Sequence, residues 1–246
     1  MPRYKLILEF DGGPFVGWQR QDNGRSVQGA LEDAIFKFSG ERAAAFSAGR
    51  TDAGVHATAM PAHFDLERPR PPGVVRDALN FHLKPEPVAV LEAEEAAGDF
   101  HARFSATARR YRYRIVNRRA PLTLDAGRAW RLAPPIDAEA MHAAAQVLVG
   151  RHDFTTFRAS TCQADTPVKT LSSIAVERRG DDVFIETSAR SFLHHQVRSM
   201  AGSLAEVGMG RWSAADFEAA FRAADRSACA QVAPPEGLYF IGADYN

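Results

Sequence analysis

The chain has 246 residues, of which 46% are apolar and 24% charged, so it can bury one large core or two smaller ones. No apolar run is long enough for a bilayer span, and the first ten residues alternate like a strand instead of resembling a secretion signal. We therefore expect a cytoplasmic protein without a membrane partner. The two cysteines, Cys162 and Cys229, lack a Cys-x-x-Cys spacing, which predicts reduced thiols.

The net charge of zero argues against a generic binder of phosphate backbones. However, 26 of the 30 basic residues are arginine, whose planar fork matches phosphate oxygens and whose flat face stacks on bases. The acidic residues that balance this charge lie mostly elsewhere in the chain. The region where arginines crowd together is either an RNA-binding face, or a face that is solvated or paired to carboxylates. The arginines concerned are Arg103, Arg109, Arg110, Arg112, Arg114, Arg118 and Arg119.

Hydrophobic periodicity in the first hundred residues predicts a mixture of strands and helices. Ser26 is a suitable cap for the first helix, and Gly40 a suitable end. The predicted elements, in chain order, are a strand over 4–10, a helix over 27–38, a strand over 43–48, a helix through Val75 and Leu79, and a strand over 88–91.

The rest of the chain is also predicted to mix strands and helices, and capping signals again mark its helices. Asp137 caps one helix, and Ser213 and Asp216 form a capping box at the start of another. The predicted strands are 110–116, 171–176, 183–188 and 238–244, and the predicted helices are 137–149, 194–207 and one starting at 213. The whole pattern predicts an α+β fold in two units, 1–103 and 104–246, without a flexible linker.

The loop Gly49-Arg50-Thr51-Asp52-Ala53-Gly54 places an acid between two glycines where a strand ends. Loops on a rigid scaffold often carry catalytic groups, and glycine lets the backbone turn sharply or approach a ligand. The alternative is an ordinary turn in which Asp52 bonds its own backbone.

The predicted helix from His194 carries His194 and Arg198 on one face, with Arg198 bordering the buried stripe. A partly buried guanidinium needs an anion, and Asp52 is a candidate, although structural salt bridges serve the same purpose. His56, His101, His194 and His195 could gather around a metal, but they lack the spacing of ligand sets, so no metal is expected.

Tyr111 and Tyr113 share one face of their strand, while Arg112 and Arg114 take the other. Aromatic rings interleaved with arginines suit a surface that stacks bases and neutralises phosphates. Tyrosines on the inner face of a sheet are also common in cores, so we expect one tyrosine in the core and the other in a site.

Taken together, these segments resemble the tRNA pseudouridine synthase A family, the tRNA pseudouridine(38-40) synthases. The motifs follow the family order along nearly the whole chain. They are Phe10-Asp11-Gly12, Gly17-Trp18-Gln19-Arg20-Gln21, Gly49-Arg50-Thr51-Asp52-Ala53-Gly54-Val55-His56, Phe100-His101-Ala102-Arg103-Phe104-Ser105-Ala106, Arg110-Tyr111-Arg112-Tyr113, Asp153-Phe154, Phe192-Leu193-His194-His195-Gln196-Val197-Arg198 and Gly237-Leu238-Tyr239.

The resemblance implies the pseudouridine synthase fold, in which two α+β lobes share a continuous, mainly antiparallel sheet with helices packed on it. The first lobe would carry the loop of Asp52, the catalytic aspartate. The second would carry Tyr111, placed against the target base, and Arg198, the ion-pair partner of the aspartate. Arg50 would shape the pocket or hold RNA, and Leu238 would be a further substrate-binding residue.

The implied reaction is the isomerisation of uridine to pseudouridine at positions 38, 39 and 40 of the tRNA anticodon stem-loop. The implied protein is a homodimer that binds tRNA. Because the reaction involves no redox change and no external group, no cofactor is expected. The carboxylate could attack C1′ of the ribose, attack the uracil ring or remove the C2′ proton, and the sequence does not choose among these routes.

Two other functions are compatible with the local chemistry. A protein that binds tRNA without altering it would leave Asp52 as a turn residue, but it has no need for Asp52, Tyr111 and Arg198 within their motifs. A metal-dependent nuclease would use Asp52 with nearby histidines, and its activity would be sensitive to a chelator.

Overall fold

The computed structural model of the chain describes all 246 residues, which divide into two compact units. The first unit comprises Met1–Arg109 and Phe240–Asn246, and the second comprises Arg110–Tyr239. The boundaries fall inside two strands, so each of these strands contributes residues to both units. The division predicted at 103/104 stays a prediction, and periodicity alone does not indicate that the last residues belong to the first unit.

The first unit combines a strand path with two helices. Its elements are β1 (Arg3–Phe10), α1 (Val27–Ser39), β2 (Phe46–Ser47), β3 (His56–Asp65), α2 (Pro72–Leu83), β4 (Val88–Ala96) and most of β10 (Leu238–Tyr245). The strand order is β4-β1-β3-β10, with β2 paired to β3. Pairing of β1 with β3 and β4 is antiparallel, and Leu6 lies opposite Ala62 and Ala93 in the register.

The second unit has the same kind of architecture. Its elements are β5 (Ala106–Asn117), β6 (Trp130–Leu132), α3 (Ala138–Ala145), β7 (Gly150–Asp153), β8 (Val168–Arg179), β9 (Asp182–Ala189), α4 (Gln196–Gly208) and α5 (Ala214–Arg222). The strand order is β5-β9-β8-β7, and β6 adds to β5 in parallel while β7, β8 and β9 pair antiparallel. Strands and helices therefore mix in both units, and the predicted α+β class is confirmed.

The capping predictions are confirmed. The Ser26 side chain accepts the Gly29 amide at the start of α1, and Gly40 ends that helix in the left-handed region, with φ of 76°. Ser213 and Asp216 form the predicted capping box of α5. Each cap satisfies main-chain groups that the helix itself leaves without partners.

The predicted strand over 43–48 is shorter in the structure, where β2 comprises only Phe46–Ser47. The reason lies in two side chains of α1. Glu32 Oε1 accepts the Ala45 amide at 3.1 Å, and Gln28 Nε2 donates to the Ala45 carbonyl at 3.3 Å. The main-chain groups that a longer strand would pair are therefore bonded to a helix.

The predicted helix over 137–149 is also shorter, because α3 ends at Ala145 and continues as a single 3-10 turn over Gln146–Leu148. Gln146 Nε2 donates to the His142 carbonyl at 2.9 Å and so occupies an acceptor of the last α-helical turn.

None of the helices in the molecule is both long enough and apolar enough to traverse a bilayer. Cys162 and Cys229 are both free thiols, as predicted.

Candidate active site

Asp52 lies in the loop between β2 and β3, and its main chain is held by neighbouring segments. It pairs with Gly17 in an isolated antiparallel bridge, and the Trp18 amide donates to the Thr51 carbonyl at 3.0 Å. The Asp52 carbonyl accepts the Val55 amide at 3.2 Å. The turn expected at this point is present, it is closed by main-chain atoms, and Asp52 is half-buried within it.

Two glycines allow the main chain to approach the Asp52 loop this closely. A Cβ on Gly12 would stand 2.0 Å from the Val55 carbonyl oxygen. Gly17 has a φ of 115°, and its Cβ would stand 2.5 Å from the Thr51 carbonyl oxygen. Any other residue would force these segments apart. The glycines of the first two family motifs are thus required to fix the loop that carries Asp52.

His56 links the segment of Asp11 and Gly12 to the Asp52 loop. It is buried at the start of β3, its Nδ1 accepts the Gly12 amide at 3.0 Å, and Asp11 Oδ1 lies 3.1 Å from the same nitrogen. Sequence reasoning considered His56 only as a metal ligand and missed this bracing role. Its presence in the same motif as Asp52, Gly49-Arg50-Thr51-Asp52-Ala53-Gly54-Val55-His56, is the signal that could have revealed it.

Arg50 precedes Asp52 in the loop and is exposed. Its neighbour Gly49 is fixed through its carbonyl, which accepts the Ser47 hydroxyl at 2.7 Å. The guanidinium therefore extends from an anchored main chain towards solvent, which suits the predicted contact with RNA.

In the second unit, the two tyrosines of β5 lie on its buried face, as predicted. Tyr113 is the core residue of the pair: it is fully buried, and its hydroxyl donates to the Pro234 carbonyl at 2.7 Å. Burial raises the pKa of Tyr113 well above its usual value, so the phenol stays protonated. Tyr111 meets the Phe192 ring edge to face, with centroids 5.1 Å apart.

The arginines on the other face of β5 are committed to carboxylates. Arg112 contacts Glu186 at 2.7 Å, and Arg114 contacts both Asp125 and Asp182 at 2.7 Å. For these two residues the alternative of pairing to carboxylates is therefore confirmed, since strand pairing and a loop bring distant acids beside them. Hydrogen bonding to Arg114 lowers the pKa of Asp125.

The predicted helix start at His194 is wrong, because α4 begins at Gln196. His195 has a φ of 63°, in the left-handed region, which breaks the helix before this point. Gln196 and Leu193 form two reciprocal bonds that close the turn: Gln196 Oε1 accepts the Leu193 amide at 2.8 Å, and the Leu193 carbonyl accepts the Gln196 amide at 3.0 Å. His194 therefore does not share a helix face with Arg198.

Arg198 lies within α4 and is half-buried, as predicted. Its Nε donates to the Ala233 carbonyl at 2.8 Å, and its own carbonyl accepts the Ala233 amide at 3.1 Å. One turn further on, a Cβ on Gly202 would lie 1.9 Å from the Gln231 carbonyl oxygen. The direction of the guanidinium is therefore set by a segment that packs tightly on α4. Its ion pair with Asp52 stays a prediction.

Leu238 follows the same segment and is buried as the first residue of β10. The preceding residue, Gly237, packs on Tyr113, and a Cβ there would lie 2.5 Å from the phenol ring. The place of Leu238 is thus determined by Tyr113 and by the segment that holds Arg198.

Comparison with known proteins places the chain in a family. A family model described as tRNA pseudouridine synthase matches residues 6–105 and 144–246. The chain is 60% identical over 245 residues to tRNA pseudouridine synthase A of Maricaulis maris, covering 100% of this chain and 98% of that protein. It is 61% identical over 245 residues to the protein of the same name in Afipia carboxidovorans, covering 100% of both.

The chain therefore belongs to the tRNA pseudouridine synthase A family. The resemblance read from the motifs is confirmed, together with the fold class that it implied. As a member of this family the chain is an isomerase.

Proposed function

We propose that this chain isomerises uridine to pseudouridine in the anticodon stem-loop of tRNA, at positions 38, 39 and 40, with Asp52 as the catalytic residue. The proposal is carried by one observation: glycine-dependent main-chain contacts on both sides hold Asp52 half-buried in a closed turn. A carboxylate that acts on one atom of a bound nucleotide requires such a fixed position.

The chemistry balances without a cofactor. The bond from ribose C1′ to uracil N1 breaks, the base turns, and a new bond joins C1′ to C5. The C5 proton is lost and N1 gains a proton, so the overall composition does not change. Each of the three possible routes begins with an ionised Asp52, which attacks C1′, attacks the ring or removes the C2′ proton.

Arg198 and Tyr111 complete the proposed site. Arg198 would act as the ion-pair partner of Asp52, because a neighbouring guanidinium favours the charged carboxylate and directs it. Support comes from its fixed Nε, which leaves the guanidinium little freedom to reorient. Arg50 would hold the RNA backbone, and Leu238 would line the substrate site.

The target uridine must leave its stack before Asp52 can reach it. Extrusion costs roughly a few kcal/mol, and stacking on an aromatic face returns part of this cost. We assign that face to Tyr111, whose ring is held in place by the perpendicular ring of Phe192.

Two further parts of the proposal follow from the family. The protein would act in the cytoplasm, where tRNA is modified, and it would be a homodimer. Sedimentation equilibrium of the purified protein tests the second part, and a mass of one chain at micromolar concentration would contradict it.

The reaction is tested by incubating the purified protein with an unmodified tRNA transcript, without added metal and with a chelator present, and then mapping pseudouridine. We expect product at one or more of positions 38, 39 and 40. A protein that binds the transcript but forms no product would be a binder, and product that depends on a divalent ion would contradict the proposed chemistry.

The role of Asp52 is tested by Asp52→Asn, which keeps the shape of the side chain and removes its charge. We expect the variant to fold, to bind tRNA with wild-type affinity and to form no pseudouridine. Asp77→Asn, an exposed position on α2, is the matched control and should keep wild-type turnover. Measurable turnover by Asp52→Asn would refute the assignment.

A further inference from the structure

An exposed cluster of aromatic rings in the first unit has no role in the proposed function. We call it the Phe104 patch, and it consists of Phe46, His101, Arg103 and Phe104. Phe104 is 73% exposed and Phe46 is 46% exposed. The His101 ring joins the two, with centroids 4.4 Å from Phe104 and 5.4 Å from Phe46, and the Arg103 guanidinium lies 5.7 Å from the Phe104 ring centre.

The patch is held in place by a network of hydrogen bonds. His101 Nδ1 accepts the amides of Arg103 at 3.1 Å and Phe104 at 3.4 Å. The His101 amide donates to the Ser105 hydroxyl at 2.9 Å, and the Ser105 amide donates back to the His101 carbonyl. The Ala102 carbonyl accepts the Tyr245 hydroxyl at 2.8 Å. Phe104 is therefore exposed on a turn whose main chain is fixed, so an incoming ring would meet a surface that is already ordered.

The same network connects the patch to the loop of Asp52. Phe46 belongs to β2, which leads directly into that loop. Arg109 Nε donates to the Ala48 carbonyl at 2.8 Å, and the same guanidinium donates to the Arg103 carbonyl. The patch and the catalytic loop are thus parts of one framework within the first unit.

The charge of the patch is positive. Burial lowers the pKa of His101, so its ring is neutral and accepts hydrogen bonds at neutral pH. Arg103 supplies the charge, and none of the four residues is acidic. Flat rings beside a guanidinium suit a nucleobase with its phosphate. A stable protein dimer needs roughly 800 Å² on each partner, which is more than two exposed rings provide.

We infer that the Phe104 patch stacks an unpaired base of the tRNA anticodon loop next to the target uridine, with Arg103 contacting the adjoining phosphate. This inference rests on the proposed function. It adds a binding position that lies outside the site of Asp52, Tyr111 and Arg198 and that keeps the neighbouring nucleotide in place while the target is extruded.

The test measures tRNA binding by Phe104→Ala. We expect the Kd to rise roughly ten- to a hundredfold, which is the usual effect of losing one stacked base. Phe104→Tyr retains the ring and should bind within about twofold of wild type. Phe81→Ala is the matched control, because Phe81 is 70% exposed on α2 in the same unit, and its Kd should not change.

A fluorescent base locates the contact. In tRNA carrying 2-aminopurine at one unpaired anticodon-loop position at a time, wild-type protein should quench the fluorescence at a position next to the target, and Phe104→Ala should not. An unchanged Kd for Phe104→Ala, or no quenching at any loop position, overturns the inference. A lower sedimentation mass for Phe104→Ala also overturns it, since the patch would then contact a second copy of the chain.

If the proposed function itself is wrong, wild-type protein forms no pseudouridine. If only the present inference fails, wild-type protein forms product and Phe104→Ala binds tRNA as wild type does.

Discussion

His63 in β3 illustrates, at the scale of single residues, how burial controls charge. It is almost fully buried, its Nδ1 accepts the Ala102 amide at 3.2 Å, and the His101 ring lies 4.6 Å away. Desolvation, followed by the positive charges that His101 and Arg3 would contribute, lowers the pKa of His63 to about 4. The ring is therefore neutral in the folded protein over most of the accessible pH range.

This shift makes stability depend on pH in a defined direction. Between an ordinary pKa of about 6.5 and the folded value of about 4, the unfolded chain binds a proton that the folded chain does not. Stability should thus be unaffected by His63 above this window and fall by about 1 to 3 kcal/mol as the pH decreases through it.

His63→Asn keeps an acceptor near the position of Nδ1 and cannot titrate. We expect it to lose less stability than wild type between pH 6.5 and 4, as measured by urea unfolding at several pH values. A pH dependence identical to that of wild type would show that His63 is not the group responsible.

At the scale of elements, the contact between α4 and the segment 231–237 sets the place of two candidate site residues, Arg198 and Leu238. The contact is possible because residue 202 has no side chain. Helix glycines usually cost stability, since the unfolded chain is more flexible there. Gly202 thus permits close packing that any side chain would prevent.

We expect Gly202→Ala to lower the free energy of unfolding by about 1 to 3 kcal/mol, because its Cβ would overlap the Gln231 carbonyl. It should also reduce pseudouridine formation, since the segment that anchors Arg198 must move. Gly73→Ala in α2 is the matched control: a Cβ there meets no atom within 4 Å, so we expect a gain of up to about 1 kcal/mol and normal turnover. Urea unfolding measures the stability of the two variants, and single-turnover assays measure their activity. Equal effects of Gly202→Ala and Gly73→Ala would contradict the packing role of Gly202.

The helices and strands also differ in how well they could be predicted from sequence. The caps of α1 and α5 depend on residues close in the chain, and they were predicted correctly. The short β2 and the late start of α4 were not. In β2, side chains of a preceding helix occupy the main-chain groups of Ala45, and at α4 a left-handed His195 breaks the pattern. Periodicity does not report either effect, because both depend on bonding and backbone geometry instead of apolar spacing.

At the scale of the whole molecule, a neutral chain must bind a polyanion through local charge. The sequence left open whether the arginines of β5 bind RNA or pair with carboxylates, and Arg112 and Arg114 are paired with acids from distant segments. A choice between the two requires knowledge of the strand neighbours, so the sequence could not make it. The arginines that remain exposed in this region include Arg103, Arg110 and Arg119.

We therefore expect a moderate salt dependence of tRNA binding. About three or four phosphate contacts would weaken binding on the order of a hundredfold between 50 and 200 mM salt. Filter binding across this range measures the slope of log Kd against log salt. A flat response would refute backbone contacts altogether, and a loss of more than about ten-thousandfold would show that the paired arginines also bind phosphates.

Residues 240–246 belong to the first unit although they follow the second unit in the chain, and this affects how the protein folds during synthesis. During translation the first hundred residues emerge early, but their β10 partner is synthesised only after the whole second unit. The Tyr245 bond to Ala102, which supports the turn of the Phe104 patch, is equally late. A ribosome-bound chain halted before residue 240 should therefore expose an incomplete first unit, and the capacity to modify tRNA should arise only when β10 has left the ribosome.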